Sequence, residues 1–176
     1  MKDLVRLRTS LKEEIETALN GQIKMEAEAS AKYLSMASWC ERNGYLKSAA
    51  YLYKQSNEER EHMLKIFHYV ASVGGTAISP EVATPQVEWG TFQSIFEDAL
   101  QSEINVTHAI NKLVTKARNA EDYATEHFLQ WFVNEQVEEE ANARRAIELF
   151  DVIGKDGTGL FVIDKEIGKI GSGEIE

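Results

Sequence analysis

The chain has 176 residues, a length typical of one domain, and 29 acidic residues outnumber 19 basic ones to give a formal net charge of −10. Nucleic acids and anionic membranes would be repelled, so we expect neither as a partner and favour cations instead. The single cysteine, Cys40, excludes an intramolecular disulfide and a CxxC metal site. The charged first residues are unlike a secretory signal, and no apolar run approaches the ~20 residues that span a bilayer, which predicts a cytoplasmic protein.

Two long amphipathic helices are predicted in the first half of the chain, where apolar residues recur every three or four positions. The first helix is expected to begin at a capping box formed by Ser10 and Glu13. It is expected to end at Asn43-Gly44, since glycine favours the backbone conformation that closes a helix. The second helix carries a stripe from Ala49 onward and is expected to end at Gly74-Gly75.

The second half of the chain repeats this pattern. A third helix is predicted from about Phe92 to about Asn119, and Asp122 is a candidate N-cap for a fourth helix that ends at Gly154. A short fifth helix is predicted at about 160–170. No alternating strand pattern is present, so the fold class is all-α.

The lengths of the connections predict the topology. Short links join the first helix to the second and the third to the fourth, which makes each pair antiparallel. The 17 residues 74–90 contain both prolines, Pro80 and Pro85, and can reach about 56 Å, whereas a 29-residue helix is about 43 Å long. Helices two and three can therefore run parallel. We predict one domain, residues 1–176, in which a four-helix bundle (about 10–153) has one long crossover and a short fifth helix.

A carboxylate interrupts each of the four apolar stripes near its midpoint. These residues are Glu26, Glu59, Glu103 and Glu139. A buried carboxylate costs several kcal/mol unless it is paired, protonated or bound to metal. Basic residues fall mainly on other faces of the helices, so a metal site is the best explanation.

The second helix supports this interpretation, because Glu59 and His62 are three residues apart and share one face. One imidazole among several carboxylates is a hard, oxygen-rich ligand set that suits iron or manganese better than structural zinc. Two such Glu-x-x-His pairs occur in many ferritin-like di-metal proteins. Here the fourth helix has Gln136-x-x-Glu139 in place of the second pair.

Several aromatic residues and histidines have no assigned ligand role. Tyr33 lies two turns after Glu26 on the same face, and it is either a core tyrosine with a satisfied hydroxyl or a redox-active or hydrogen-bonding neighbour of the metals. Trp131 and Phe132 are expected in the core. Three histidines without ligand spacing are expected at the surface or in packing contacts: His68, His108 and His127.

Together these motifs resemble the bacterial non-haem ferritins. The resemblance is carried by Glu26 with Tyr33, by Glu58-Glu59-x-x-His62, by Glu103 and by the run 129–140, LQWFVNEQVEEE. The segment 159–166, GLFVIDKE, resembles the short fifth helix of that family. The similarity extends from about Ser10 to about Ile170.

The resemblance implies a ferroxidase centre. Glu26, Glu59 and His62 would hold the first iron, and Glu59 would bridge to a second iron held by Glu103 and Glu139. Gln136, one turn before Glu139, would be a hydrogen-bonding residue beside the centre, and Tyr33 matches the family's tyrosine next to it. A third iron site is implied on the side that faces the cavity, with the ligands Glu58, Glu135, Glu138 and Glu139.

The resemblance also implies the partners and the assembly. The substrates would be Fe(II) and either O₂ or H₂O₂, and about two dozen identical subunits would form a hollow shell that stores ferric mineral. Haem is not expected, because bacterioferritins have a second metal-binding histidine where this chain has Glu139 and a haem-binding methionine where it has Arg60. A ferritin-like di-metal oxidase that acts on another substrate is the alternative.

Overall fold

Five α-helices make up the fold in the computed structural model, which describes residues 9–171, and no strand occurs in that range. The helices are α1 (Glu13–Arg42), α2 (Leu46–Ser72), α3 (Phe92–Asn119), α4 (Tyr123–Ile153) and α5 (Gly157–Ile167). This confirms the predicted all-α fold class, and the four long helices agree closely with the predicted ones. None of the described helices is both long enough and apolar enough to cross a membrane.

The crossover segment, residues 73–91, follows α1 from its first turns to its last. Near the start of the segment, the backbone N–H of Thr76 donates to Glu16 Oε1 at 2.8 Å. Near its end, the Arg42 guanidinium donates to the carbonyl of Val87 at 3.0 Å. Because Glu16 and Arg42 lie at opposite ends of the 30-residue helix α1, the segment traverses the length of the bundle.

Aromatic stacking at one end of the bundle confirms the direction of the helices. The ring of Phe92, the first residue of α3, stacks on that of Tyr45, which precedes α2, with centroids 3.7 Å apart. Phe92 also contacts Phe150, near the end of α4, at 5.1 Å. Helices α2 and α3 therefore start at the same end and run parallel, while α4 runs antiparallel to α3.

The capping box predicted for the first helix is wrong. Helix α1 begins at Glu13, and its N-cap residue is Lys12, whose side chain makes no capping hydrogen bond. Ser10 lies two residues before the N-cap, outside the position from which a hydroxyl caps the first turn. Instead, the neighbouring Thr9 accepts the backbone N–H of Leu11 at 2.9 Å, which shapes the entry to the helix.

The other helix ends follow the sequence more closely. Asp122 caps α4 as predicted by accepting the N–H of Thr125 at 3.0 Å. Helix α5 begins three residues earlier than predicted, because the Asp156 carboxylate accepts the N–H of Gly159 at 2.7 Å and caps it there. Gly44 follows α1 with a φ of 86°, a conformation that glycine adopts without strain.

Two apolar clusters fill the bundle, one towards each end, and the predicted carboxylates lie between them. On α1, Ile23 belongs to one cluster and Tyr33 to the other, and Glu26 falls between them. The remaining helices place Glu59, Glu103 and Glu139 in the same way. The bundle is therefore stabilised by two separate hydrophobic cores, with a polar layer near its middle.

Helix α5 is anchored to the bundle through Asp164. Its carboxylate accepts the backbone N–H groups of Ser48, at 2.8 Å, and of Lys47, at 3.3 Å. Both N–H groups belong to the first turn of α2, which has no side-chain cap of its own. Asp164 thus serves as a cap supplied by another helix, and its charge also complements the α2 dipole.

Replacing Asp164 by alanine is expected to destabilise the protein by about 1–2 kcal/mol, because two N–H groups of α2 lose their acceptor. Asp164→Asn keeps an oxygen acceptor and should cost clearly less. Thermal unfolding followed by circular dichroism measures both effects. Asp151→Ala, at an exposed aspartate on α4, is the matched control; a shift as large as that of Asp164→Ala would contradict the capping role.

Candidate metal centre

All four long helices contribute a side chain to the polar layer. The exposed fractions are 1% for Glu26, 1% for Glu59, 0% for Glu103, 5% for Glu139 and 5% for His62. Each residue lies on the apolar face of its helix, so packing of the two cores around the layer removes these groups from water. Four carboxylates and one imidazole are therefore buried at one level of the bundle.

Two groups of ligand atoms are close enough to share an ion. Glu26, Glu59 and His62 each offer an atom within 4.8 Å of the other two. Within this group, His62 Nδ1 lies 3.4 Å from Glu59 Oε2. A second group, with the same spacing, combines His62 with Glu135 and Glu139. His62 belongs to both groups and lies at the centre of the candidate site.

Two buried glutamine amides donate to carboxylates of the layer. Gln22 Nε2 lies 2.8 Å from Glu26 Oε1, and Gln55 Nε2 lies 3.0 Å from Glu139 Oε2. The second oxygen of Glu26, Oε2, is buried and receives no hydrogen bond from an amide, hydroxyl or basic group of residues 9–171, so its remaining polar contact is with the carboxyl group of Glu59. An orphaned buried carboxylate oxygen is costly, and a cation would satisfy it.

Glu103 is the most hydrogen-bonded of the four carboxylates. The hydroxyl of Tyr33 donates to its Oε1 at 2.5 Å, and the Gln136 amide donates to its Oε2 at 3.2 Å. The sequence left two interpretations of Tyr33 open, a core tyrosine or a neighbour of the metals. Its hydroxyl has a hydrogen-bond partner, and that partner is a carboxylate of the candidate site. Gln136 lies on α4 and is hydrogen-bonded to Glu103, and its role as a hydrogen-bonding residue beside a metal centre stays a prediction.

Burial raises the pKa of every carboxylate in the layer. For Glu26 and Glu59 the pKa lies well above the ordinary value, first because of desolvation and then because of repulsion by Glu59 and Glu103, respectively. Desolvation also raises the pKa of Glu103, although the Tyr33 and Gln136 hydrogen bonds oppose it. The pKa of Glu139 is raised to about 8, first by desolvation and next by Glu103. Without a cation these groups resist ionisation.

This shift predicts that the metal-free protein loses stability as pH rises. The folded chain holds the Glu139 proton up to about pH 8, whereas the unfolded chain releases it near 4.5, so stability falls across this interval. Glu139→Gln should therefore stabilise the metal-free protein by on the order of 3 kcal/mol at pH 8 and by less than about 1 kcal/mol at pH 5.

Melting temperatures of both proteins over this pH range measure the effect. Glu138→Gln changes an exposed glutamate next to Glu139 and is the matched control. A Glu139→Gln stabilisation that does not grow with pH would contradict the raised pKa.

The prediction that Trp131 lies in the core is wrong. Its side chain is 37% exposed. Phe132, Gln136 and Glu139 form the inward face of α4, and Trp131 lies to one side of that face. The indole meets the ring of His62 edge-on at 5.3 Å, and Lys65 Nζ lies 3.9 Å from its centroid. Trp131 therefore shields the imidazole of His62 from solvent. Phe132 is buried, as predicted.

The implied third site is only partly assembled. Glu135 and Glu139 offer carboxylate oxygens within 4.8 Å of each other. Glu58 is half-buried and forms a 3.6 Å ion pair with Lys54, and Glu138 is exposed. A metal ion bound by all four carboxylates would have to compete with Lys54 for Glu58.

Sequence reasoning missed several residues around the site. Gln22 and Gln55 each lie four residues before a buried glutamate on the same helix face, so their spacing was a usable signal. Tyr51 is also buried, and its pKa is raised by desolvation and by the charges of Glu139 and Glu103. Its proximity to carboxylates on other helices had no signal in the sequence. The histidines without ligand spacing are all exposed: His68, His108 and His127.

The donor set is suited to a hard divalent or trivalent cation. Carboxylate oxygens dominate, one imidazole nitrogen is present, and the neighbouring amides donate hydrogen bonds that orient the carboxylates. A bound cation would also relieve the mutual repulsion that raises the pKa of these groups. The chemistry of the described residues thus fits a metal centre.

Comparisons with known proteins agree with this geometry. The ferritin-like domain profile matches residues 16–153. Among curated relatives, a probable bacterial non-heme ferritin-like protein of Haemophilus influenzae is 35% identical over 91% of this chain and 97% of its own length. The bacterial non-heme ferritin of Staphylococcus epidermidis is 38% identical over 89% of this chain and 95% of its own.

Solved structures show the same similarity. An open pore ferritin from the archaeon Archaeoglobus fulgidus superimposes with a TM-score of 0.88 and 39% identity, covering 90% of this chain and 98% of that one. The four-helix bundle, the crossover and the fifth helix are therefore those of the ferritin fold. With a matching domain profile and curated relatives that align over most of their length, the chain belongs to the ferritin family.

Proposed function

We propose that this protein stores iron, and that it oxidises Fe(II) to Fe(III) at the buried carboxylate layer before depositing ferric mineral inside a hollow multisubunit shell. The observation that carries the proposal is the grouping of Glu26, Glu59 and His62, which are buried and have ligand atoms within 4.8 Å of one another. One oxygen of Glu26 in this group receives no hydrogen bond from an amide, hydroxyl or basic group of the described residues. A purely structural bundle would have no use for such a costly group.

We assign the ligands as the family resemblance implies. Glu26, Glu59 and His62 hold the first Fe(II), and Glu59, whose pKa is raised by burial and by the charges of Glu103 and Glu139, bridges to a second ion. Glu103 and Glu139 hold that second ion. Hard carboxylate ligands favour Fe(III) over Fe(II), so they lower the reduction potential of the bound iron and make its oxidation more favourable.

The electrons balance with either oxidant. Two Fe(II) ions each lose one electron, and one O₂ takes up both electrons with two protons to give H₂O₂; when H₂O₂ is the oxidant, the same two electrons and two protons give two water molecules. Tyr33, hydrogen-bonded to Glu103, is the candidate redox-active neighbour. Glu58, Glu135, Glu138 and Glu139 are proposed ligands of a third iron site, through which Fe(III) leaves towards the cavity.

We further propose a shell of 24 identical subunits in the cytoplasm, in keeping with the family resemblance. Isolated, each chain has a mass of 19.9 kDa, so such a shell approaches half a megadalton. We expect iron as the only metal cargo and no haem, since position 60 is an arginine.

Two measurements test the proposal together. Aerobic addition of Fe(II) to the metal-free protein should give rapid oxidation, which is monitored by absorbance. Most of the iron should remain with the protein after gel filtration. Size-exclusion chromatography with light scattering should give a mass near half a megadalton. Slow oxidation at the uncatalysed rate, or iron lost as free precipitate, would contradict storage.

The alternative is a di-metal oxidase that acts on an organic substrate. Such an enzyme would consume O₂ only when that substrate is present, and it would retain at most a few iron ions per chain. Retention of many iron atoms per chain, with O₂ uptake driven by Fe(II) alone, would exclude it.

A further inference from the structure

A chain of hydrogen bonds leads from the metal layer to the surface between α3 and α4. Gln136 Nε2 lies 3.2 Å from Glu103 Oε2 and 3.4 Å from Thr107 Oγ1. The Thr107 hydroxyl donates to Glu140 Oε1 at 2.7 Å, and Arg144 donates to the other oxygen of Glu140, also at 2.7 Å. These residues form two pairs at i and i+4 spacing, Glu103 with Thr107 on α3 and Gln136 with Glu140 on α4, which face each other.

The direction of these hydrogen bonds determines how Gln136 is oriented. A threonine hydroxyl has one proton, and here that proton is directed to the Glu140 carboxylate, which can only accept when ionised. The oxygen of Thr107 is therefore left as an acceptor towards Gln136. Glu103 also presents its carboxylate and its backbone carbonyl to Gln136, so all three described partners of the Gln136 nitrogen accept when Glu103 is ionised, as it is when it binds a metal ion.

Gln136 must then turn its nitrogen towards Glu103 and its oxygen away. In this orientation the amide is a donor that holds Glu103 Oε2, and its own oxygen does not point at the metal layer. With the amide reversed, its oxygen would face the Glu103 carboxylate and repel it.

We propose that Thr107 and Glu140 are positioning residues, which lock the Gln136 amide and through it orient Glu103 as a ligand of the second metal ion. The inference rests on the proposed function and adds two residues to it that touch no metal. Residues that orient metal ligands at one remove commonly contribute ten- to a hundredfold to metal affinity. A cavity of about 220 Å³ lined by Thr107, Gln136 and Glu140 leaves room for the amide to rotate once the lock is removed.

Anaerobic titration of the metal-free assembled protein with Co²⁺ tests this proposal. Calorimetry and the visible absorption of bound Co²⁺ give separate affinities for the first and second ion. Thr107→Val, which has the same shape but no hydroxyl, should weaken the second ion about tenfold and leave the first within about twofold. Thr107→Ser should restore wild-type binding. Glu140→Ala should act like Thr107→Val, because the freed hydroxyl can then donate to the amide oxygen of Gln136.

A double-mutant cycle separates positioning from general damage. If Thr107 acts through Gln136, then Thr107→Val should have no further effect in a Gln136→Ala background. Thr115→Val is the matched control, since Thr115 lies on the same helix and its hydroxyl bonds only to the backbone carbonyl of Asn111 among the described contacts.

The outcomes distinguish this proposal from the function on which it rests. The positioning role is overturned if Thr107→Val binds both Co²⁺ ions with wild-type affinity, or if it loses affinity equally for both ions. It is also overturned if Thr107→Val weakens the second ion as much in the Gln136→Ala background as in the wild type. If the wild-type protein binds no pair of Co²⁺ ions at all, the proposed function itself fails. Selective loss of the second ion with rescue by serine supports both.

Discussion

Replacing Glu59 by alanine is expected to slow the initial rate of Fe(II) oxidation by about a hundredfold or more while leaving the assembly intact. Glu59 is 1% exposed, lies within 4.8 Å of the ligand atoms of Glu26 and His62, and is repelled by the charge of Glu103. It is therefore the carboxylate best placed to touch two ions, and without it neither site is complete. Stopped-flow absorbance after mixing with Fe(II) and O₂ measures the rate.

Matched variants on α2 make this result specific. His62→Ala should cause a comparable loss, because His62 is the imidazole ligand shared by both groups of ligand atoms. Glu61→Ala and His68→Ala remove the same residue types from exposed positions of the same helix and should oxidise Fe(II) at the wild-type rate. Size-exclusion chromatography of each variant checks assembly. Rapid oxidation by an assembled Glu59→Ala protein would contradict the site.

Neutralising the whole layer is expected to stabilise the metal-free protein. With Glu26, Glu59, Glu103 and Glu139 all replaced by glutamine, the free energy of unfolding at pH 8 should rise by more than the ~3 kcal/mol expected for Glu139→Gln alone. This corresponds to an increase of at least about 6 °C in melting temperature. The physical reason is that burial and mutual repulsion disfavour the ionised carboxylates, as their raised pKa values indicate.

Glutamine is preferred over an apolar residue because four donors already point at these side chains. Gln22, Gln55, Gln136 and Tyr33 would lose their acceptors next to leucine, whereas an amide oxygen can still accept. Calorimetric melting of the metal-free proteins gives the comparison. Added Fe(II) should raise the melting temperature of the wild-type protein but not that of the four-fold variant, because the variant has lost its carboxylate ligands. A lower melting temperature in an assembled variant would show that the layer is not under electrostatic strain.

Local features of the sequence were sufficient to predict most of the fold. Helix ends at Asn43-Gly44 and at Asp122 depend on residues a few positions apart, and both predictions agree with the structure. The capping box at Ser10 failed because a cap depends on where the helix begins, and α1 begins at Glu13, after Lys12, whose side chain donates to the carbonyl of Ala120. The fifth helix begins at Gly157, three residues earlier than predicted, because Asp156 caps it, and this cap was a local signal that the prediction missed.

The candidate metal residues were also found from the sequence, because a carboxylate on an apolar stripe contradicts the pattern around it. Glu26, Glu59, Glu103 and Glu139 each lie within a run of buried residues, so their burial was predictable from periodicity alone. Only the packing of α3 against α4 brought Thr107, Gln136 and Glu140 together. Trp131 was misplaced because it lies beside the inward face of α4, which Phe132, Gln136 and Glu139 form.

The sequence by itself thus determined the helices, their order and the four acidic positions in the core, because these depend on spacing along the chain. The tertiary structure decided which carboxylate oxygen receives no hydrogen bond from an amide, hydroxyl or basic group of the described residues and which amide holds which ligand. Those properties depend on distances of about 3 Å between different helices. A repeat of three or four residues can place a side chain on the inner face of a helix, but it carries no information about the side chain that it meets there.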